Sequence, residues 1–578
     1  MGYTAQMSSR LSVLSHVLLL FVLCFAVYAN ALTGEFVWDD SLQVVRNDSI
    51  RSLDNLTKMF TSSVWSFAGA STASNRYYRP VQTVIFTFVY RIAGLSPFAY
   101  HLANLFLHTA AVLMVYALCR ELGLFGSRSL LPAALFAVHP VHTEAVAWIA
   151  GAGELACGLF YVTALWAYLR YWNARKLQWL GLAAVAFLLA LFSKEMAVTF
   201  PATALLVAWM KREELRVDLR KAALSMAPIL AALGVYGGLR LWVLGASVPS
   251  NLHTEASILD WATLAVWMFG QYLRYAFVPY PLAPFHLIAL HFSDRVAATA
   301  LYALLIVSTA TALYLIRGKV RVGLFFAGIF AVTLAPAFYF KGISGGSFMF
   351  AERYLYIPTV PAMILLALLL MQVPRDYLIG AVTILIAAFS FGTILENYAW
   401  KNDRTLFARS AAVYPENGYA WVNLGGMYLN DGNDVEAEQA FTMAQRHVAS
   451  KRYLQPPYTE YLVELGLGTL AARRGQAKEA ITHLEAALRL NPAGDNAYTI
   501  LGSVLINLEK RFDDAIPLLE KAIELNPVDD FARDSLGVAF FQKGDYSQAA
   551  ERFREALRVN PRSQLAREHL DEALKRSK

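Results

Sequence analysis

Two adjacent carboxylates, Asp39 and Asp40, follow the first long apolar run of the chain, directly after Trp38. A carboxylate at a membrane boundary can accept a proton from an attacking hydroxyl group, which is general base catalysis. Acidic residues in this position can also merely cap a short helix that follows the apolar run. The sequence leaves both roles open for this pair.

A second group of residues with chemical potential is the segment HPVHTE, residues 139–144. On a helix, His139 and His142 would share one face with Glu144 nearby, a spacing that can ligate a metal ion. The same side chains can equally be hydrogen-bonded structure in a polar cavity, and no further ligand set is evident. We therefore keep a divalent metal as an alternative and assign no metal ligand.

The elements that must position these residues follow from composition. The 578 residues are 57% hydrophobic and only 16% charged, and the apolar runs are confined to residues 11–394. We predict an all-α protein with a polytopic membrane domain over 1–394, a linker or juxtamembrane helix over 395–414, and a soluble domain over 415–578. The net charge of +7 then reflects basic membrane loops, and nucleic-acid binding is not expected.

Eleven apolar segments are candidate membrane spans. The first could pass for a signal peptide, but its length favours an uncleaved spanning helix. Two further segments, 80–93 and 258–279, are predicted to be interfacial or re-entrant helices on the outer face. The predicted spans are 11–32, 98–119, 130–147, 153–171, 178–193, 198–210, 222–243, 297–316, 322–340, 357–372 and 377–394.

Basic residues orient these spans. Loops 120–129, 170–177, 211–221, 317–321 and 373–376 contain 14 Lys and Arg residues, whereas the short loops on the opposite face contain 3. The basic face is cytoplasmic by the positive-inside rule. An odd number of spans then places the soluble domain outside, together with a first outer loop at 33–97.

This topology gathers ionisable side chains on the outer face, with His101 and His108 on the second span. Charges at a bilayer are costly and usually functional, so the cluster predicts an active site at the outer membrane boundary. The other members are Asp39, Asp40, Arg79, His139, His142, Glu144, Glu154, Lys194, Glu195, Arg240, Glu352 and Arg353.

The soluble region is repetitive. LNP occurs at 490–492 and 525–527 and VNP at 559–561, and glycine recurs at Gly425, Gly466, Gly502 and Gly537 where paired helices would cross. A period of about 34 residues with this pattern predicts a tetratricopeptide-repeat solenoid of about four repeats, capped by residues 562–578. Such arrays usually bind peptides in a concave groove, although a passive stabilising or dimerising role is the alternative.

The ordered motifs of the membrane half resemble a known family. They are FVWDD (36–40), YYRPVQTVIF (77–86), GLSPFAYHLANLFLH (94–108), ALFAVHPVHTEAVAWIAGAGELACGLF (134–160), SKEMAVTFP (193–201), AERYLYIP (351–358) and WKNDRTLF (400–407). Together they resemble the transmembrane and tetratricopeptide-repeat O-mannosyltransferases and their bacterial relatives, in the GT-C class of glycosyltransferases. GAGELA departs from the expected form, with Ala152 and Gly153 where an arginine should precede the glutamate.

The resemblance implies a polyprenyl-phosphate sugar donor, expected to carry mannose, and a hydroxyl acceptor. Asp39 or Asp40 would be the base, and a single displacement would invert the sugar's anomeric carbon. Cations would hold the departing phosphate. Candidates for that role are Arg79, Lys194, Arg240 and Arg353, and supporting polar residues of the outer cavity are His101, His108, His139, His142, Glu144, Glu154, Glu195, Glu352 and Tyr354.

Simpler roles remain for some of these residues. Lys194 could pair with its neighbour Glu195, and Arg353 with Glu352, as local structure. The histidines of the second span could be packed against the outer cavity without taking part in catalysis.

The membrane helices would hold the polyprenyl tail, and the solenoid would present the acceptor polypeptide. We expect a multi-pass protein of a bacterial inner membrane with a periplasmic repeat domain, the alternative being the endoplasmic reticulum with a luminal one. Rival functions are a non-enzymatic membrane-anchored adaptor and a transporter or lipid flippase. A transporter would favour ionisable residues near the bilayer midplane. This sequence does not concentrate its ionisable residues at that depth.

Overall fold

The computed structural model divides the chain into two compact units, residues 1–413 and residues 414–578. Residues 213–218 and 316–319 of two basic loops, and residues 65 and 67–76 of the predicted first outer loop, lie outside the described residues. The structure describes residues 2–64, 66, 77–212, 219–245, 257–289, 292–315, 320–338, 350–450, 452–456 and 458–577.

The first unit is built from helices joined by short helical turns, with one two-residue strand, Ile288–Ala289. Helices α7 and α8 form an antiparallel hairpin against α4 and α10. The helices are α1 (Gly2–Tyr28), α2 (Leu56–Thr61), α3 (Pro80–Ala93), α4 (Pro97–Leu122), α5 (Leu130–Ala137), α6 (Thr143–Ala147), α7 (Ala152–Ala174), α8 (Leu177–Ser193), α9 (Phe200–Lys211), α10 (Leu219–Leu244), α11 (Ile258–Phe277), α12 (Val296–Leu315), α13 (Val320–Leu334), α14 (Thr359–Leu370), α15 (Arg375–Asn397) and α16 (Asp403–Val413).

This unit is a multi-pass membrane domain, as the sequence predicts. Among the described residues, six helical stretches are long and apolar enough to cross a bilayer, and a seventh results if one bent pair counts as a single span. Three shorter apolar helices, Leu177–Ser193, Val296–Thr311 and Thr359–Leu370, coincide with further predicted spans. The six are Val13–Thr33, Pro97–Leu122, Ile149–Ala174, Arg220–Leu244, Arg321–Phe338 and Arg375–Trp400.

The predicted continuous span 130–147 is wrong in one respect. The chain bends by 53° between Leu130–Ala137 and Pro140–Ala147. Pro140 lacks an N–H group and forces the residue before it out of the helical conformation, so His139 is extended with ψ of 122°. His139 and His142 therefore do not share the face of one regular helix.

The second unit consists of four antiparallel helix pairs followed by one more helix, which confirms the tetratricopeptide solenoid and its cap. It also contains the two-residue strand Tyr453–Leu454. The pairs are α17 (Gly418–Asn430) with α18 (Asp434–Ala449), α19 (Thr459–Arg473) with α20 (Ala477–Leu490), α21 (Asp495–Val504) with α22 (Phe512–Leu525), and α23 (Asp530–Gln542) with α24 (Tyr546–Val559), followed by α25 (Gln564–Arg576).

Glycines allow the two helices of each repeat to cross closely. A Cβ atom added at Gly425 would lie 2.6 Å from Phe441, and one at Gly537 would lie 2.5 Å from Phe553. In the second repeat the crossing glycine is Gly468, which faces Leu484, whereas the predicted Gly466 packs against Phe441 of the preceding repeat. The repeat pattern thus locates the contact to within two residues.

Two of the Asn-Pro motifs join the two ends of one helix pair. The Asn526 amide after α22 donates to Asp495 at the start of α21 at 2.8 Å, and Asn560 after α24 donates to Asp530 at the start of α23 at the same distance. The proline carbonyl then accepts a hydrogen bond from a side chain six residues later in the four turns that contain Pro415, Pro492, Pro527 and Pro561. The donors are Trp421, Tyr498, Arg533 and Arg567. These bonds close each turn between repeats and explain why the motif recurs.

Candidate active site

The acidic pair lies in a tight turn at the end of the first span. The Asp40 N–H donates to the Val37 carbonyl at 2.9 Å, and Trp38 in the middle of the turn has φ of +50°. This left-handed conformation is uncommon and strained for a bulky residue such as tryptophan. The Trp38 indole is packed between Trp148 at 5.2 Å and Phe285 at 4.9 Å. The surrounding rings thus help to hold a turn that the sequence alone would not favour.

Asp40 is completely buried, and backbone amides use both of its oxygens. Oδ2 accepts from Val37 N–H at 3.0 Å and Oδ1 accepts from Ala150 N–H at 2.8 Å. Burial raises the pKa of this carboxyl well above its usual range. Its side chain makes no cap bond to the following Ser41–Val45 helical turn. Asp40 therefore fastens the first outer loop to the start of α7.

Asp39 is only partly buried, and its carboxylate lies within the electrostatic reach of Arg353 and Arg79. Burial raises the pKa of Asp39 to about 6, while Arg353, a hydrogen bond with Gln43 and Arg79 act in the opposite direction. A carboxylate with a pKa near the working pH can accept a proton and still be ionised in the free protein. Of the two acids, Asp39 has the surroundings that a general base needs.

Three ion pairs between distant segments form the centre of the site. Arg79 binds Glu195 through two bonds, Nε to Oε2 at 3.0 Å and Nη2 to Oε1 at 2.5 Å. Lys194 pairs with Glu154, and Arg353 pairs with Glu144. The Arg353 Nε atom also lies 3.4 Å from Glu154 Oε1, which links the second and third pairs. The structure thus brings together six of the charged residues that the sequence predicts for the site.

The surroundings of the cations control their protonation. Burial alone would lower the pKa of Arg79, but the Glu195 carboxylate raises it above its ordinary value. Burial likewise opposes the charge of Arg353, and Glu144 more than compensates. Burial lowers the pKa of Lys194, with Glu154 opposing the change. The two arginines are therefore fixed charges, whereas Lys194 depends on its partner to stay protonated.

The alternative pairing of sequence neighbours is not formed. Lys194 and Glu195 have different partners, and so do Glu352 and Arg353. Glu352 is buried and accepts hydrogen bonds from the Ala283 amide at 2.7 Å and from His286 Nε2 at 2.8 Å. Glu352 thus lies in a separate network, which holds the chain just before Arg353.

A small cavity adjoins this centre. It is lined by Glu154, Lys194, Arg353 and Tyr354, and also by Thr333 near the end of α13 and by Tyr356 and Ile357 just before α14. The Lys194 ammonium lies 5.2 Å from the centre of the Tyr354 ring and the Arg353 guanidinium lies 5.3 Å from it, so both cations face the aromatic surface. Two cations thus border this cavity.

A second cavity, of about 410 Å³, is apolar. It lies among α11, α12, α13 and α14, and Phe269, Phe330, Ala362 and Leu365 are part of its wall. Both cavities border α13, the first at Thr333 and the second at Phe330.

The predicted histidines lie behind this centre. His142 Nε2 lies 2.7 Å from Thr359 Oγ1, and His108 Nδ1 lies 2.9 Å from the Tyr356 hydroxyl. His139 Nε2 lies 3.1 Å from the Ala276 carbonyl oxygen. His101 packs against Gly34, where an added Cβ would come within 2.9 Å of its Nε2. The contacts of His142 and His108 thus hold the Tyr356–Thr359 turn that follows Arg353.

The remaining predictions concern Arg240 and a possible metal site. Arg240 is half-exposed on α10, and among the described residues it forms no hydrogen bond or ion pair with the three pairs. In the part of the chain that the structure describes, no group of three or more His, Cys, Asp or Glu side chains is placed to hold a metal ion. The roles proposed for all of these residues stay predictions.

Comparison with known proteins adds independent evidence. Residues 79–236 match the family model of dolichyl-phosphate-mannose-protein mannosyltransferases, and residues 404–450, 465–530 and 535–576 match the tetratricopeptide repeat. Protein O-mannosyl-transferase F38B6.6 of Caenorhabditis elegans is 26% identical over 450 residues, which cover 74% of this chain. The human TMTC4 enzyme is 25% identical over 72% of this chain, and Drosophila Tmtc1 is 34% identical over 31% of it.

The chain is similar over most of its length to transmembrane and tetratricopeptide-repeat O-mannosyltransferases. It spans 62% of the length of the worm protein and 64% of that of human TMTC4. The matched mannosyltransferase region begins at Arg79 and includes Glu144, Glu154, Lys194 and Glu195. The family match and the ion-pair centre thus coincide over most of the site.

Two residues near the acidic turn escaped sequence reasoning. Gln82 is buried and donates to Gln43 at 2.9 Å and to the Ala150 carbonyl at 3.1 Å. Asn104 donates to the Trp148 carbonyl at 2.8 Å. An amide within an apolar helix was the available signal, since buried polar groups need partners. These residues fix the loop that supplies Ala150 to Asp40.

Proposed function

We propose that this protein is a membrane glycosyltransferase that transfers a sugar, mannose, from a polyprenyl-phosphate donor to a hydroxyl group of a protein. The observation that carries the proposal is the position of Asp39, half-buried beside a centre of three ion pairs and within reach of two of its cations. A base next to fixed cations is what transfer from a sugar phosphate requires.

Asp39 acts as the general base in this proposal. It removes the proton of a serine or threonine hydroxyl as the oxygen forms a bond to the anomeric carbon. The bond from that carbon to the phosphate oxygen breaks, and the electron pair leaves with the phosphate. One displacement of this kind inverts the configuration of the sugar. Asp40 keeps the turn in place through its two backbone bonds.

Arg79, Lys194 and Arg353 stabilise the charge that develops on the leaving phosphate. Their carboxylate partners fix the positions of the cations before the donor binds, so little reorganisation is needed during the reaction. Nη1 of Arg79 and Nη2 of Arg353 take no part in the ion pairs described above. These amino groups are the donors that we assign to the phosphate oxygens.

The apolar cavity along α13 and α14 supports a lipid-linked donor, because its lining suits a hydrocarbon chain. Transfer of hydrocarbon from water to such a lining is favourable by about 0.8 kcal/mol for each CH₂ group. In this proposal the phosphate head of the donor lies beside the Lys194 and Arg353 cations and its apolar tail lies in that cavity.

The solenoid is assigned to the acceptor polypeptide, since tetratricopeptide arrays commonly bind peptides. The active site and the solenoid are placed on the outer face, periplasmic in a bacterial inner membrane or luminal in the endoplasmic reticulum. The distribution of basic loops supports this orientation. No cofactor other than the lipid-linked sugar is assigned, and a divalent metal remains the alternative.

The test is a transfer assay with purified full-length protein in lipid vesicles. Radiolabelled polyprenyl-phosphate mannose and a pool of envelope peptides are supplied to the wild type and to D39N, with D48N as the matched control. Asp48 lies in the same loop with a side chain that is 98% exposed. We expect D39N to lose about 10²- to 10⁴-fold in rate and D48N to match the wild type.

Each other outcome is informative. Equal transfer by D39N and the wild type would remove Asp39 from the mechanism. No transfer by the wild type from mannose, glucose or other polyprenyl-linked donors would favour a membrane-anchored adaptor.

A further inference from the structure

We propose that Asp403, at the start of α16, is a positioning residue that aims Asp39 for proton transfer. Its Oδ1 accepts the Trp38 N–H at 2.8 Å, across 365 residues of sequence. Trp38 is the residue whose left-handed backbone forms the acidic turn. The proposal rests on the proposed function, because it assigns Asp403 to the same reaction.

Two further contacts hold the 398–413 segment against this turn. The Lys401 carbonyl accepts the Glu35 N–H at 2.8 Å, so backbone also joins the two segments. The Phe407 ring, one turn after Asp403 on α16, stacks on Phe285 at 5.3 Å, and Phe285 packs edge-on against Trp38. The motif WKNDRTLF therefore contacts the chain around the acidic turn through a carboxylate and a carbonyl, and its Phe407 ring supports Phe285, which packs against Trp38.

Trp400 completes the arrangement from the other side. Its ring lies 6.0 Å from Trp148, which is 5.2 Å from Trp38. Asp403 thus holds the Trp38 backbone. Residues of the same short segment support the rings that enclose the Trp38 indole. A strained conformation persists only where its surroundings fix it in this way.

The contact has a direct consequence for Asp39, because Asp39 follows Trp38 in the chain. Loss of the Asp403 acceptor would leave the Trp38 N–H without its partner and favour relaxation of the left-handed turn. Rotation at Trp38 would move the Asp39 carboxylate, and a misplacement of about 1 Å can cost on the order of 100-fold in rate. Asp403 itself touches neither donor nor acceptor in this scheme.

The primary test compares D403A with D403N in the vesicle transfer assay, after transfer by the wild type has been established. Asparagine keeps an oxygen that can accept the Trp38 N–H, whereas alanine does not. We expect D403A to lower kcat by about 10- to 100-fold with the donor KM little changed, and D403N to restore most of the rate. Unchanged kcat in D403A, or an equal loss in both variants, would overturn the proposal.

A double-mutant cycle with W38G identifies the cause. Glycine adopts the left-handed conformation without strain, so the turn in W38G has less need of Asp403. We expect D403A to reduce kcat less in the W38G background than in the wild type. Full additivity would mean that Asp403 acts other than by holding the turn, and would overturn the proposal.

Hydrogen exchange provides a readout that does not depend on activity. Residues 34–46 of full-length protein should exchange faster in D403A than in the wild type and at the wild-type rate in D403N. This result with no transfer by the wild type would refute the proposed function and leave the contact intact. Unchanged exchange in D403A, with wild-type transfer normal, would refute the positioning role alone.

Discussion

The ion-pair centre and the repeat solenoid keep their structures by opposite means. The centre depends on three unlike ion pairs, each formed once between segments far apart in sequence, such as Arg79 with Glu195. The solenoid repeats one set of bonds, in which Asn526 and Asn560 perform the same task one repeat apart. A centre of unique contacts is sensitive to single substitutions, whereas a repeated array distributes the loss.

The largest expected difference in the free energy of unfolding comes from breaking a partly buried ion pair. E195A removes the carboxylate that binds Arg79, whose side chain is only 16% exposed. An arginine cannot lose its proton to escape this loss. We expect the free energy of unfolding in detergent to fall by about 3 kcal/mol, measured by denaturant titration of the full-length protein.

The matched control is D514A in the solenoid. Asp514 pairs with Arg511, and both side chains are more than half exposed. Its removal should change the unfolding free energy by less than about 1 kcal/mol. Equal effects of E195A and D514A would contradict the contrast between the two regions.

A neighbouring pair of glycines tests the solenoid by itself. G425A places a Cβ 2.6 Å from Phe441, whereas the corresponding space beside Gly426 is open. We expect G425A to destabilise the first repeat by about 1–3 kcal/mol and G426A to stabilise it by about 0.5–1 kcal/mol. Hydrogen exchange of the α17 and α18 amides in the full chain measures both, and the same sign for both would refute the crossing argument.

The dependence of transfer on pH sharpens the functional side of the comparison. The pKa of Asp39 is raised to about 6, and the base must be ionised to accept a proton. The rate should therefore fall as pH drops through about 6, by about ten-fold for each pH unit below it. The matching measurement is kcat/KM between pH 4.5 and 8 for the wild type and D48N. A rate that rises on acidification would exclude Asp39 as the base.

The smallest effect on stability is expected from the repeated asparagine side-chain bonds of the solenoid. N526A removes the bond to Asp495 and also the acceptor that the Val528 N–H uses at 3.3 Å. We expect a loss of about 1 kcal/mol, confined to the amides of α21 to α23. Hydrogen exchange reports this locally, with N560A as the equivalent change one repeat later. Loss of exchange protection throughout the solenoid would contradict the expectation that each of these bonds supports only the helices near it.

Sequence patterns could predict the repeat solenoid more completely than the ion-pair centre. Apolar runs and the Asn-Pro period revealed the helices and the repeats, because each depends on residues close together in the chain. The motifs also gave the charged residues of the site. Their pairing could not be read, since Arg353 lies 209 residues from Glu144 and only the fold brings them together.

The same limit explains why Asp39 and Asp40 looked equivalent in the sequence. Only the positions of the Val37 and Ala150 amides show that Asp40 is enclosed while Asp39 stays partly open. The bend before Pro140 could have been predicted, because proline restricts the residue that precedes it. The left-handed turn at Trp38 could not have been predicted, since nothing in the local sequence requires it.

Glu352 and Arg353 are adjacent, yet each is bonded to a different part of the membrane unit. A deletion of one residue just before them would bring the Arg353 guanidinium toward His286, and an insertion would bring the Glu352 carboxylate toward Glu144. Both networks would then fail together. Chain length at this point is therefore under tight constraint, whereas a solenoid can gain or lose a whole repeat and keep its interfaces. Over evolutionary time we expect variation in repeat number at one end of the molecule and fixed spacing at the other.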